Sequence, residues 1–222
     1  IGTRGRGVRS PSFYGLAAQE LEEELGATVS FLQGASGSTH NLGLPCAEMV
    51  LRIKAAVRGT LGSATPRPVG RIAALKREIP FRVRTFDEAR EDAAVAAYCT
   101  KRAGAGAPGI IEVFRAQRKI LAPQQGQERK TWIQALRIGD VALVGVPAEF
   151  FTGLGLEIKR RSPFRHTFVA ELANDWIGYL PDRKAFELGG YQTWTGLHSY
   201  AEPGTGEAVV DEAVRLLEAL AR

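Results

Sequence analysis

The chain has 222 residues, 45% of them hydrophobic, which is enough apolar surface for a sizeable core. Its two cysteines, Cys46 and Cys99, exclude a disulfide framework and any CxxC metal pattern, and each reads as a small buried side chain. The net charge is +5, but the 29 Lys and Arg are spread along the chain. With no zinc-finger spacing, RNP-type strand or helix-turn-helix pattern, nucleic acid is not an expected partner, whereas an anionic membrane surface is compatible with the charge. The denser basic clusters are Arg4, Arg6 and Arg9, which read as a flexible arm, and Lys159 to Arg161, which closes a helix. No apolar run approaches the ~20 residues of a membrane helix. The chain opens on Ile1 without a signal-peptide pattern, and this leaves the compartment open.

In chain order, residues 12–25 place apolar side chains at helical spacing, with three glutamates on the polar side and Gly26 as the stop. Residues 28–33 read as a short strand. The glycine-rich loop from Gly34 to Asn41 follows. It lacks a P-loop lysine and a dinucleotide spacing, so a phosphate cradle there is a weak reading. A helix is predicted over 44–61, with Met49, Val50, Ile53, Ala56 and Val57 as its stripe, and extended structure over 69–84. Thr85 with Glu88 reads as a capping box for a helix to about Arg102. A second helix runs to about Leu121, so residues 85–122 form a helical insertion. A strand over 130–138 turns at Gly139-Asp140 into a second strand. The chain closes on a docking helix over 205–220.

The densest stretch is Asp140 to Trp194. Val141 to Val146 reads as a buried strand ended by Pro147, and a helix is predicted over 150–161. Glu149 sits between them. It either caps that helix or is a site carboxylate beyond a strand end, where ligands gather in α/β folds. A strand over 167–172 precedes a polar-aromatic loop containing Asn174, Asp175, Trp176, Tyr179, Asp182 and Arg183, then Gly189-Gly190-Tyr191. Such loops are where sites are built. His166 and His198 have no HxH or HExxH partner and read as surface or hydrogen-bonding residues. The predicted class is α/β: a mixed β-sheet with helices packed on it.

The runs PAEFFTGLGLEIKRRSPF and FVAELANDWIGYLPDRKAFELGGYQTW resemble the neutral/alkaline ceramidase family. The resemblance covers nearly all of residues 1–222, as a single α/β domain matching the C-terminal part of that family's catalytic domain without its N-terminal portion. It implies that Glu149 and Tyr179 are zinc ligands and that Tyr191 polarises an amide carbonyl. The remaining zinc ligands are histidines expected from an upstream segment outside this chain. The family's serine nucleophile, aligned through Phe31, Gln33 and Gly37, falls on His40, with Ser36 and Ser38 out of register.

The resemblance therefore implies a zinc-dependent hydrolase of a sphingolipid or related N-acyl amide. A water would attack, and His40 would serve as a proton carrier or further ligand. A hydrogen-bonded loop histidine is the other reading of His40. Phe150, Phe151 and Trp176 would either shape an acyl pocket or pack the core. The alternative function is a non-catalytic ceramidase-like scaffold or binding domain, lacking the serine and a complete metal site.

Overall fold

The computed structural model describes residues 7, 9–40 and 43–222, so the arm expected at Arg4 and Arg6 lies outside the described residues. The chain divides into two compact units. The first comprises Ile1–Leu32 and His40–Pro68, the second Gln33–Thr39 and Val69–Arg222.

In the first unit, α1 (Ser12–Leu25) packs on α2 (Cys46–Ser63) through Ala17, Cys46 and Val50. Gly26 ends α1 in the left-handed region, φ 61°, with its N–H on the Glu22 carbonyl, as a side chain would do only under strain. Lys54 is buried between Glu20 at 2.7 Å and Glu24 at 2.5 Å. Glu24, the last of the glutamate run, is thus an ion-pair partner of Lys54 and Arg58 as well as part of a polar face. Residues 28–33 are not a strand. The Glu22 carboxylate takes the Val29 N–H and Phe31 stacks on Tyr14 at 4.4 Å, so local partners displace a ladder.

In the second unit, a four-stranded sheet runs in the order β1 (Ile72–Arg82), β2 (Glu128–Ile138), β3 (Val141–Gly145), β5 (His166–Ala170). β1, β2 and β3 are antiparallel neighbours, and β3 and β5 are parallel, so the sheet is mixed as predicted. Gly139, at φ 63°, supplies the positive φ that a two-residue hairpin between β2 and β3 demands. The parallel pair needs a crossover, and α5 (Thr152–Arg161) provides it. Alternation along β2 turns Thr131, Ile133 and Ala135 inward and leaves Trp132 half-exposed on the other face. α7 (Thr205–Ala221) covers the inner face with Val209, Val210, Ala213, Leu216, Leu217 and Leu220.

Between β1 and β2, α3 (Glu88–Arg102) and α4 (Ala107–Leu121) form a hairpin with its own cluster of Val95, Cys99, Ala107, Phe114 and Trp194. Both cysteines are buried, as expected. The cap of α3 is Asp87, which accepts from the Arg90 N–H at 2.7 Å, rather than Thr85. Glu88, expected to complete a capping box, instead binds the fully buried Arg118 at 2.8 Å, and Asp92 joins at 2.9 Å. A longer-range cation outcompetes the local backbone donor here. Arg118→Met is expected to lower stability by about 1–3 kcal/mol in urea unfolding, because two carboxylates lose a buried charged donor but keep access to water.

Candidate functional site

Beyond β3 the chain passes through buried Val146 and Ala148 into a two-residue strand, β4 (Glu149–Phe150). It pairs in parallel with β6 (Tyr179–Leu180), in a register that sets Glu149 beside Tyr179 and Phe150 beside Leu180. The Glu149 N–H donates to the Gly178 carbonyl at 3.1 Å. Paired residues in a ladder share a face, so Glu149 and Tyr179 project together while Phe150 and Leu180 enter the core. Two oxygen-bearing side chains thirty positions apart are thereby neighbours.

The helix predicted to start at residue 150 starts at Thr152, so Glu149 does not cap it. Its Oε2 accepts from Trp176 Nε1 at 2.6 Å. The Thr152 N–H is served by Ser38 Oγ at 3.0 Å. Burial raises the pKa of Glu149 above the usual carboxylate value; the Trp176 hydrogen bond and a backbone hydrogen bond oppose this, and the charge of Glu171 adds to it. Tyr179 is raised by burial and then by the negative charge of Glu149.

Tyr191 follows Gly190, whose φ of 112° suits glycine, and opens a 3-10 turn. Its ring meets the edge of Tyr179 at 5.8 Å, and its phenol is held protonated by burial and by the charge of Glu149. His198 completes the cluster. Its ring lies 4.6 Å from that of Tyr191, and its Nε2 is 2.8 Å from the Tyr191 carbonyl. A carbonyl only accepts, so Nε2 carries the proton. Burial lowers the pKa of His198 and keeps it neutral. Gly178 allows this approach: a Cβ there would sit 2.4 Å from the His198 carbonyl oxygen. From sequence His198 reads only as a surface or hydrogen-bonding residue, because it meets Tyr191 through a turn rather than a helical or strand spacing.

Arg84 was also missed. It is 6% exposed and donates to the Thr193 carbonyl at 2.7 Å, the Trp194 carbonyl at 3.3 Å, Ser199 Oγ at 2.8 Å and the Ser199 carbonyl. Burial lowers its pKa to about 10. A strand-end arginine thus holds the loop that carries Tyr191 and His198.

The glycine-rich loop contributes residues 33–39 to this unit. Gly37 lies flat on β4, where a Cβ would meet the Glu149 carbonyl oxygen at 2.4 Å, and its N–H donates to the Phe150 carbonyl at 2.8 Å. The Ser36 N–H goes to Glu171 and the Thr39 N–H to the Ser36 carbonyl. With those amides committed, the loop is not arranged as a phosphate cradle. His40 begins the second segment of the first unit, and Asn41 lies outside the described residues. Phe150 is fully buried in the core, Phe151 is buried but lines a cavity with Ser38, Ala185 and Leu188, and Trp176 is half-exposed beside Glu149. Among the described residues no group of three or more His, Cys, Asp or Glu could hold a metal ion. Glu149 and Tyr179 are therefore two oxygen donors, short of a full set.

This mixed-sheet α/β fold is also that of solved ceramidases. No protein-family model matches the chain. Neutral ceramidase of Pseudomonas aeruginosa is 28% identical over 127 residues, 51% of this chain and 19% of the relative. The crystal structure of that bacterium's neutral ceramidase superposes with a TM-score of 0.67 at 20% identity, over 98% of this chain and 42% of the solved one. A ceramidase complexed with C2 gives a TM-score of 0.69 at 19% identity, over 96% and 43%. The chain thus contains a neutral ceramidase-like region with the same fold, and spans less than half the length of these relatives.

Proposed function

We propose that this chain forms part of the active site of a zinc-dependent hydrolase of an N-acyl amide, with a sphingolipid or related lipid amide as substrate. The observation that carries the reading is the register of β4 and β6, which sets Glu149 beside Tyr179, with Tyr191 against Tyr179. A carboxylate and a phenol are hard oxygen donors that suit zinc, and further ligands would come from residues outside the described set. When bound, zinc supplies positive charge that polarises an amide carbonyl and acidifies water.

The chain's own residues then have distinct roles. Glu149 and Tyr179 would hold the ion. Trp176 keeps one carboxylate oxygen of Glu149 in place by its 2.6 Å hydrogen bond. Tyr191 keeps its proton at neutral pH, because burial and the charge of Glu149 raise its pKa, and it donates a hydrogen bond to the oxygen on which charge develops. His198 braces the Tyr191 backbone and ring. His40 remains a candidate proton carrier by its alignment with the family's serine position. Tyr191→Phe is expected to lower kcat about 10²- to 10³-fold on an N-acyl amine substrate with KM little changed. An unchanged kcat would remove that role.

The other reading is a non-catalytic ceramidase-like scaffold or binding domain. It is favoured by the family's serine position falling on His40 and by a donor set of two among the described residues. The two readings part on zinc content: stoichiometric zinc in the purified protein, lost in Glu149→Gln, supports the hydrolase, and its absence supports the scaffold.

A further inference from the structure

We propose that Glu171 is the positioning residue of this site, fixing Glu149 through the backbone of β4 and reinforcing the negative field that draws a divalent cation there; this rests on the reading of Glu149 as a ligand.

Glu171 is only 6% exposed and makes no ion pair among the described residues. Its Oε2 accepts from the Phe150 N–H at 2.9 Å and the Ser36 N–H at 3.0 Å, and its Oε1 accepts from Ser36 Oγ at 2.6 Å. Ser36 Oγ also accepts from Gln33 Nε2 at 2.5 Å, and the Gln33 carbonyl accepts from the Glu171 N–H at 2.8 Å. One carboxylate therefore joins three segments: the loop 33–39, the strand β4 and the turn after β5.

Two features show that the chain is shaped around this carboxylate. Leu172, the next residue, has a φ of 57°, an uncommon conformation for a side chain of its size that costs of order 1 kcal/mol and persists only when surroundings enforce it. Its N–H is turned to the Ala148 carbonyl at 3.3 Å, and that of Ala173 to the Val146 carbonyl at 2.9 Å, so the turn is stitched to the segment leading into Glu149. In addition, Gly37 lies against the Glu149 carbonyl with no room for a Cβ, so the loop that Glu171 holds presses directly on the ligand's backbone.

A neutral glutamine oxygen could accept from these amides without burying a charge. A buried carboxylate with three donors and no cation instead leaves uncompensated negative charge beside Glu149. That charge works against Glu149 and Tyr179 in the empty site and favours a divalent cation when one is bound.

The test uses the purified full-length protein and zinc alone, with affinity read by competition against a chromophoric chelator and by indole fluorescence, since Trp176 donates to Glu149. Glu171→Gln is expected to bind zinc about ten- to a hundredfold more weakly than wild type. Leu216→Ala, a core change on α7, is expected to lower thermal stability and leave zinc affinity unchanged, which separates positioning from general loosening. A folded Glu171→Gln protein that binds zinc like wild type, while Glu149→Gln does not, overturns the inference and leaves the ligand reading standing. If Glu171→Gln fails to fold, Ser36→Ala decides: it keeps the charge and loses one of the carboxylate's three hydrogen bonds, so a smaller loss of affinity supports the inference and no loss overturns it. If wild type takes up no zinc, or Glu149→Gln binds as tightly, the reading beneath the inference falls instead.

Discussion

Glu149→Gln is expected to cut zinc affinity by at least about a hundredfold, and amide hydrolysis with it, while leaving the metal-free protein as stable as wild type or more so. The first half follows from removing a charged oxygen from a pair that has no third carboxylate or histidine among the described residues to replace it. The second half follows from the sign of the pKa shift. Burial raises the pKa of Glu149 in the folded state. A raised carboxylate pKa means that folding favours the protonated form, so its stability contribution is fully present below the unfolded pKa and is lost as pH rises through the folded one. Neutral glutamine escapes that penalty and can still accept the Trp176 N–H. Thermal melts of chelator-treated protein should show the variant gaining on wild type as pH rises from the acid range to neutrality. A variant that melts lower at pH 7 would show that the carboxylate stabilises the fold, contrary to a site held under strain for function.

Arg84→Gln is expected to have the largest effect on stability, about 3–5 kcal/mol in denaturant unfolding. The guanidinium reaches three carbonyls and a hydroxyl in the turn from Thr193 to Ser199, and those acceptors have no water to turn to. Arg84→Lys should recover little, because one ammonium cannot span the fork of a guanidinium. Trp194 packs edge-on to Phe114 at 5.2 Å and to Tyr98 at 5.0 Å, so loosening of the turn should appear as a red shift and loss of near-ultraviolet ellipticity from that indole. A variant with native Trp194 signals would detach Arg84 from the turn that carries Tyr191.

The elements with strong periodicity were legible in the residues. The stripe of Val209 to Leu220, the alternation of Thr131, Ile133 and Ala135, and the Gly139 hairpin each follow from one local rule, and each forms where that rule puts it. The misreadings share a cause: a distant partner overrides a local preference. Glu88 leaves its capping role for Arg118, and Glu149 sits in a strand because Tyr179 offers a register. In the candidate site, Glu149, Tyr179 and Tyr191 were reached through resemblance to a family, and the structure gathers all three. His198, Arg84 and Glu171 had no such guide. Their roles rest on contacts to backbone carbonyls and amides, which leave no mark on side-chain spacing.

The ladder of β4 and β6 is only two rungs long. The same four residues that present Glu149 and Tyr179 outward drive Phe150 and Leu180 inward, so reactive groups and interior share one piece of machinery. Substitution at either inward residue is therefore expected to disturb the proposed site, although both side chains are buried in the core. Nature has little freedom to retune this corner of the protein without also rebuilding the floor beneath it.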